Sequence, residues 1–218
     1  MTSIIGILNP KGGCGKTTIT INLARALQEC GQSVLVVDTD PQGTARDWSL
    51  AAQQNFPKLE RTPLIALDRP TVHKDLPSIA ERFDYVLLDG AAKLQQMTVS
   101  TLQVADVILI PVQPSLADVW SATDLVELIK ERQNLFLGKP RAAFIVSRQT
   151  ANTRLASDID TVLQAHQLKM FESRTSNRVS YIEALSSGST VIDLEPNGSS
   201  AREIRAIAQE LMIFAGEK

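Results

Sequence analysis

From Asn9 to Thr18 the chain reads Asn9-Pro10-Lys11-Gly12-Gly13-Cys14-Gly15-Lys16-Thr17-Thr18. Glycines at this density let a backbone curl until successive N–H groups point inward at an anion. Lys16 and Thr17 close the loop with a cation for the β- and γ-phosphates of a nucleotide and a hydroxyl for Mg²⁺. The pattern G-x-x-x-x-G-K-[ST] is complete except at its first position, which is Pro10. The phosphate-binding residues are therefore expected to be Lys11, Gly12, Gly13, Cys14, Gly15, Lys16, Thr17 and Thr18, with a nucleotide and Mg²⁺ as ligands. Lys11, just inside the loop, is a second cation that the basic pattern does not require.

Carboxylates follow at two strand ends. Val34-Leu35-Val36-Val37 runs into Asp38-Thr39-Asp40-Pro41-Gln42-Gly43, and Tyr85-Val86-Leu87-Leu88 runs into Asp89-Gly90. Aspartates beside a phosphate loop can hold the water shell of a metal or orient an attacking water. Asp84, ahead of the second run, reads as a turn residue.

These groups need a scaffold, and the remaining pattern supplies one. An apolar run, Ser3 to Leu8, precedes the loop and suits a buried parallel strand. An Ala/Leu-rich helix, Thr17 to Cys30, follows and offers its N-terminal N–H groups and dipole to the same phosphate. Further apolar runs fall at Ser33–Val37, Leu64–Leu67, Tyr85–Leu88, Val107–Pro111 and Ala142–Ser147. Helical patterns alternate with them at Ala45–Asn55, Lys74–Arg82, Gln95–Val104, Leu116–Asn134 and Leu155–His166. A last helix spans about residues 199–214. This alternation predicts a doubly wound α/β fold, a mostly parallel twisted sheet with helices on both faces. Ligands of such sheets bind beyond the carboxyl ends of the strands, where the motifs lie. Trp48 and Trp120 are expected as core or interface anchors.

At 218 residues the chain is long enough for one such domain, expected over 1–218. The net charge of −2 excludes a uniformly basic nucleic-acid binder. Residues 139–178 nevertheless hold seven basic side chains (Lys139, Arg141, Arg148, Arg154, Lys169, Arg174, Arg178) against three acidic ones (Asp158, Asp160, Glu172). That local excess suits an anionic polymer or an ordinary solvated surface. Cys14 and Cys30 have neither metal nor disulfide-framework spacing. Cys14 is expected as a small filler, although loop N–H groups would lower its pKa. No signal peptide or run of about 18 apolar residues is present, so a cytoplasmic protein is expected.

The string Lys11-Gly12-Gly13-Cys14-Gly15-Lys16-Thr17-Thr18 resembles the deviant Walker A box of the ParA/MinD family of P-loop ATPases. Asp38-Thr39-Asp40-Pro41-Gln42-Gly43 resembles that family's first switch, and Phe83 to Gly90 its Walker B strand. The resemblance implies that Lys11 reaches the nucleotide of a partner in an ATP-driven homodimer. It implies that Asp40 orients the hydrolytic water, that Asp38 supports Mg²⁺ and its waters, and that Asp89 stands next to the metal. Lys11, Lys16, Asp38 and Asp40 are the catalytic set so implied, and Thr17, Asp38 and Asp89 the metal set. After Asp89 the family more often continues Thr-Pro-Pro; here Gly90-Ala91-Ala92 stands, as in a smaller plasmid-partition subgroup. Ile108 to Ser115 is similar to a strand end near the family's dimer face, although strand termination by two prolines reads equally well. Arg148 ends the strand near which the family places adenine, but the family's common asparagine is missing. Arg174 to Ala184 resembles a segment used near nucleotide and DNA, so Arg174, Arg178, Arg202 and Arg205 are the DNA-contact candidates; a solvated face with partners such as Glu203 is the alternative.

The chain begins directly at the first strand, without an N-terminal helix-turn-helix extension, which is similar to the short plasmid-partition (ParF-like) type. The expected function is a weak ATPase whose ATP-bound dimer binds nucleoid DNA without sequence preference. A centromere-binding or cargo adaptor protein would stimulate hydrolysis and release it. The same chemistry would serve a positioning ATPase for a chemoreceptor cluster or a carboxysome. A MinD-like membrane cycle ranks behind, because the tail Met212 to Lys218 is short and not basic and so gives no stable membrane anchor. A nitrogenase-iron-protein-like reductase is discounted, since Cys14 and Cys30 lie in the loop and first helix rather than paired for an iron–sulfur cluster.

Overall fold

A computed structural model describes residues 2–58, 62–92, 96–150 and 154–216. Its strands are β1 (Ser3–Ile7), β2 (Val34–Asp38), β3 (Leu64–Ala66), β4 (Tyr85–Asp89), β5 (Val107–Val112), β6 (Arg141–Val146) and β7 (Lys169–Met170). They pair in parallel, in the spatial order β3-β2-β4-β1-β5-β6-β7. The helices are α1 (Lys16–Glu29), α2 (Thr44–Asn55), α3 (Val72–Asp75), α4 (Pro77–Ala80), α5 (Gln96–Val104), α6 (Leu116–Leu135), α7 (Arg154–Gln164), α8 (Val179–Ser187), α9 (Val191–Leu194) and α10 (Ser199–Gly216).

Both sheet faces are covered. Every residue of β2, β4 and β5 is buried, which is why these strands read as unbroken apolar runs rather than alternating ones. The pleat still divides their side chains. Ile5 and Ile7 of β1 pack with Leu23 and Leu27 of α1 and with Ile204, Ile207 and Leu211 of α10. Ile4 and the following Leu8 enter the opposite layer with Leu102 of α5 and Val119 and Leu125 of α6.

The doubly wound parallel sheet is as expected, with local differences. The Lys74–Arg82 pattern is broken into two single-turn helices because Pro77 begins the second and has no N–H for a continuous ladder. β5 runs through Pro111 instead of ending there. Its register with β1 reaches only Leu109, so the missing proline donor falls beyond that pairing. The two-residue edge strand β7 carries too little pattern to be expected. Gln95, the expected first residue of α5, lies outside the described residues, as do Arg154 to Asp158 for their side chains and Glu217 and Lys218 in the tail. Trp48 is a core anchor, 8% exposed, with Nε1 donating to Ser189 O at 2.8 Å. Trp120 is not in the core: it stands 67% exposed on α6.

The register positions the chemistry. Asp89 is the register partner of both Ile7 and Asp38, so the ends of β1, β4 and β2 lie abreast. The phosphate loop leaves β1 at that level and enters α1.

Candidate functional site

The loop from Asn9 to Lys16 is held from outside. Asn9 Nδ2 donates to Pro111 O at 2.7 Å and its Oδ1 accepts Lys11 N–H at 2.8 Å. Gln113 Nε2 donates to Gly13 O at 3.0 Å, and Ser147 Oγ to Cys14 O at 2.7 Å. With carbonyls tied outward, the loop's N–H groups are left to line its inner side. Gly13 and Gly15 sit at φ 76° and 98°, a region that residues with a Cβ rarely adopt. Lys16, 7% exposed, arches over the loop and donates to Lys11 O at 3.0 Å. Cys14 is buried and its thiol donates to Lys11 O at 3.3 Å. Burial pushes that thiol up in pKa, against the lowering expected from the loop's dipoles, because desolvation outweighs the Lys16 charge. A protonated filler is what the site holds.

The expected metal groups meet. Thr17 Oγ1 donates to Asp89 Oδ2 at 2.7 Å, and Thr20 Oγ1 donates to Asp89 Oδ1 at 3.3 Å. Asp89 is buried and its carboxyl is pushed up to about 7, first by desolvation, with the nearby Asp38 charge adding to it and the Thr17 bond opposing it. Asp38 is fully buried too, and burial raises its pKa. Its Oδ1 accepts Asp40 N–H at 3.0 Å; its Oδ2 accepts Arg46 N–H at 3.1 Å and Arg46 Nε at 3.3 Å. Asp38 thus braces its own loop while keeping free lone pairs. Asp40 Oδ1 accepts Gln42 N–H at 3.0 Å at the partly exposed edge of the same turn.

This oxygen-only donor set suits Mg²⁺, which binds through one or two carboxylates plus substrate phosphates. Among the described residues no cluster of three or more His, Cys, Asp or Glu forms an all-protein metal cage. A divalent cation would also return the desolvated Asp89 to its ionised form.

Gly90 has a local reason. Its N–H donates to Ile7 O at 3.1 Å, and a Cβ there would stand 2.7 Å from that same oxygen and 2.4 Å from Leu8 Cδ2. The close approach of β4 to β1 excludes any larger residue after Asp89.

Lys11 points back into its own chain. Its Nζ lies 2.6 Å from Asp118 Oδ2. Asp118 is 2% exposed, in the first turn of α6, where Ser115 Oγ accepts its N–H at 3.1 Å. Sequence reasoning missed Asp118, although Ser115-x-x-Asp118 has capping-box spacing. It also missed Arg46, whose Nη2 donates to Asp40 O at 2.9 Å and whose Nη1 lies 3.3 Å from Asp68 Oδ2. No local signal marks Arg46, because its partners assemble only in three dimensions.

A cavity of about 220 Å³ opens beside the loop, lined among others by Gly15, Thr18, Ser147, Arg148, Ser176 and Tyr181. It brings Arg148 and the 175–178 segment to the phosphate loop. The four arginine candidates do not form a bare patch. Arg174 pairs with Asp160 at 2.7 Å, Arg178 with Glu203 at 3.2 Å and Arg205 with Glu29 at 2.7 Å. Arg202 donates to Asn197 O at 2.6 Å.

Known proteins of similar sequence and fold exist. The family model described as the CobQ/CobB/MinD/ParA nucleotide binding domain matches residues 5–191. The chromosome-partitioning ATPase Soj of Thermus thermophilus is 30% identical, over 95% of this chain and 94% of its own. The maintenance of carboxysome distribution protein A of Halothiobacillus neapolitanus is 28% identical over 95% of both chains. An ATP complex of McdA from Cyanothece shares the fold at a TM-score of 0.78 and 19% identity, covering 100% of this chain and 97% of that one.

Proposed function

The chain belongs to the CobQ/CobB/MinD/ParA nucleotide-binding family, and from that premise we propose that it is an ATP-dependent partition ATPase. Its ATP-bound homodimer rides nucleoid DNA and leaves it when an adaptor protein stimulates hydrolysis. The observation that carries this reading is the meeting of the phosphate loop with Thr17, Asp38, Asp40 and Asp89 at the ends of β1, β2 and β4.

The loop N–H groups and Lys16 receive the phosphates, and Lys16 exchanges Lys11 O for an anionic oxygen. Thr17, with Asp89 and Asp38 behind it, would hold Mg²⁺, which would neutralise negative charge developing on the phosphates. Asp40, at the partly exposed edge of the turn, orients the attacking water. Base and ribose occupy the cavity beside Arg148. Lys11 serves the partner's nucleotide, which requires its pair with Asp118 to open. DNA contact through Arg174, Arg178 or Arg205 likewise requires exchange of an internal carboxylate for phosphate, so binding should fall steeply with salt.

The test is DNA binding by the purified chain with ATP, with ADP and with a non-hydrolysable ATP analogue, in wild type and in Lys11→Ala. ATP-only binding of any DNA sequence, lost in the variant, supports the reading. ATP-dependent dimers that bind no DNA move the platform elsewhere. That outcome favours a positioning ATPase for another cargo, a second reading supported by the likeness to the carboxysome-distribution protein. Liposome sedimentation with ATP tests a membrane cycle. Among the described residues no helix is long and apolar enough to cross a membrane.

A further inference from the structure

We propose that Glu203 is a positioning residue for the nucleoside half of the ligand: it fixes the Ser176–Tyr181 wall of the cavity beside the phosphate loop. This inference rests on the nucleotide-binding reading above. It concerns a residue on α10, a helix that lines neither the loop nor the cavity.

Both carboxylate oxygens of Glu203 are filled. Oε1 accepts Ser176 Oγ at 2.7 Å and Arg178 Nε at 3.2 Å. Oε2 accepts Ser176 N–H at 3.0 Å and Tyr181 OH at 2.9 Å. Three of these donors come from the short segment before α8 and one from α8 itself, and all three residues line the cavity. The side chain is 18% exposed, so bonds to its charge are little weakened by water. The Arg178 contact, at 43% exposure on the arginine side, contributes least.

The other edge of the segment is pinned to the sheet. Thr175 N–H donates to Val146 O at 3.1 Å, Gln149 N–H to Thr175 O at 2.8 Å, and Asn177 N–H to Gln149 O at 3.0 Å. Without Glu203 the segment would be a flap hinged on that edge. With it, the flap is tied to α10, and α10 packs through Ile204, Ile207 and Leu211 onto the layer that contains α1. The N-terminus of α1 is the end of the phosphate loop. Phosphate subsite and cavity wall are therefore held at a set separation through one buried helix pair, with Glu203 as the link. Ser200 O lies 3.3 Å from the same Tyr181 hydroxyl, a longer contact that competes for its single proton.

The experiment compares three ligands, ATP, ADP and inorganic tripolyphosphate, on wild type, Glu203→Ala and Glu203→Gln, by calorimetric titration with Mg²⁺. Tripolyphosphate carries the phosphates but no base or ribose. Glu203→Ala is expected to weaken ATP and ADP about tenfold and to leave tripolyphosphate affinity at the wild-type value. In steady-state hydrolysis KM for ATP rises and kcat holds, as when uniform binding is lost. Glu203→Gln keeps one acceptor oxygen and the side-chain shape, so it recovers part of the loss and keeps the test decisive if the alanine variant does not fold. Unchanged ATP affinity in both variants overturns the proposal. So does a fall in tripolyphosphate affinity in step with ATP, which marks general damage rather than positioning. A wild type that binds neither ATP nor tripolyphosphate defeats the nucleotide reading itself, and this inference with it.

Discussion

Lys11 and Asp118 form a 2.6 Å ion pair within one chain, and its two ends are unequally placed: Lys11 is 38% exposed at the side chain and Asp118 2%. Asp118 Oδ1 is buried and has no hydrogen-bond partner among the described residues. Removing the lysine leaves a buried carboxylate with the Ser115 hydroxyl as its donor but no counter-charge, whereas neutralising the acid leaves an ammonium that water can reach. Lys11→Ala should therefore cost about 2 kcal/mol of stability, and Asp118→Asn clearly less. Urea unfolding of both variants checks the asymmetry; equal losses would show that the pair is solvent-screened at both ends.

Without nucleotide, the contribution of Asp89 to stability should fall as pH rises. Asp89 has a folded pKa of about 7 against an ordinary 3.8. The folded state therefore holds this proton more tightly than the unfolded chain. The contribution is fully present below 3.8 and is lost as pH climbs through about 7. Asp89→Asn should flatten that part of the pH profile and raise stability at pH 8 in the apo protein. Mg²⁺ with ATP should reverse the slope in wild type, because the bound cation favours the ionised carboxylate. Denaturant midpoints across this pH range, with and without Mg²⁺-ATP, decide it.

Asp40 touches the loop lightly, through Gln42 N–H alone among its carboxylate contacts. Asp40→Ala should leave folding and ATP affinity near wild type while kcat falls about 100-fold or more. Single-turnover hydrolysis with saturating ATP separates this from a binding defect. A variant that turns over at the wild-type rate would remove Asp40 from the chemistry.

Two glycines with the same backbone sign give a stability contrast. Gly31 and Gly188 have φ 78° and 75°. A Cβ at Gly31 meets nothing within 4 Å, whereas at Gly188 it would stand 2.1 Å from Ala52 N. Gly31→Ala should cost about 1 kcal/mol from backbone strain alone. Gly188→Ala must also push α8 from α2, and should lose several times as much. Thermal melts of the pair test this packing.

The contrast between what could and could not be read from the chain follows the range of the interactions. β2, β4 and β5 were legible because strands buried on both faces need unbroken apolar runs. The loop was legible because a phosphate loop has fixed residue types at fixed spacing; Thr17 stands 2.7 Å from Asp89 Oδ2. Arg46 and Asp118 were not legible, and Glu203 was legible only as an ion partner for the arginines. Their partners lie up to 107 positions away, and a charged residue on a helix carries no signal of the loop it will meet. Which alternative holds for Trp120 could not be read either: the helical pattern of α6 gives no unambiguous inner face, and its exposure leaves only the interface reading. The raised pKa of Cys14 depended on its degree of burial, which the loop motif does not specify.

The central claim is that ATP, and not ADP, joins two copies of this chain through Lys11. Sedimentation velocity of the full chain with Mg²⁺ and a non-hydrolysable ATP analogue, or with Mg²⁺-ADP, measures this directly in wild type and Lys11→Ala. A doubled mass is expected only for wild type with the ATP analogue. The same mass in every nucleotide state, or a Lys11→Ala variant that dimerises as well as wild type, would contradict it.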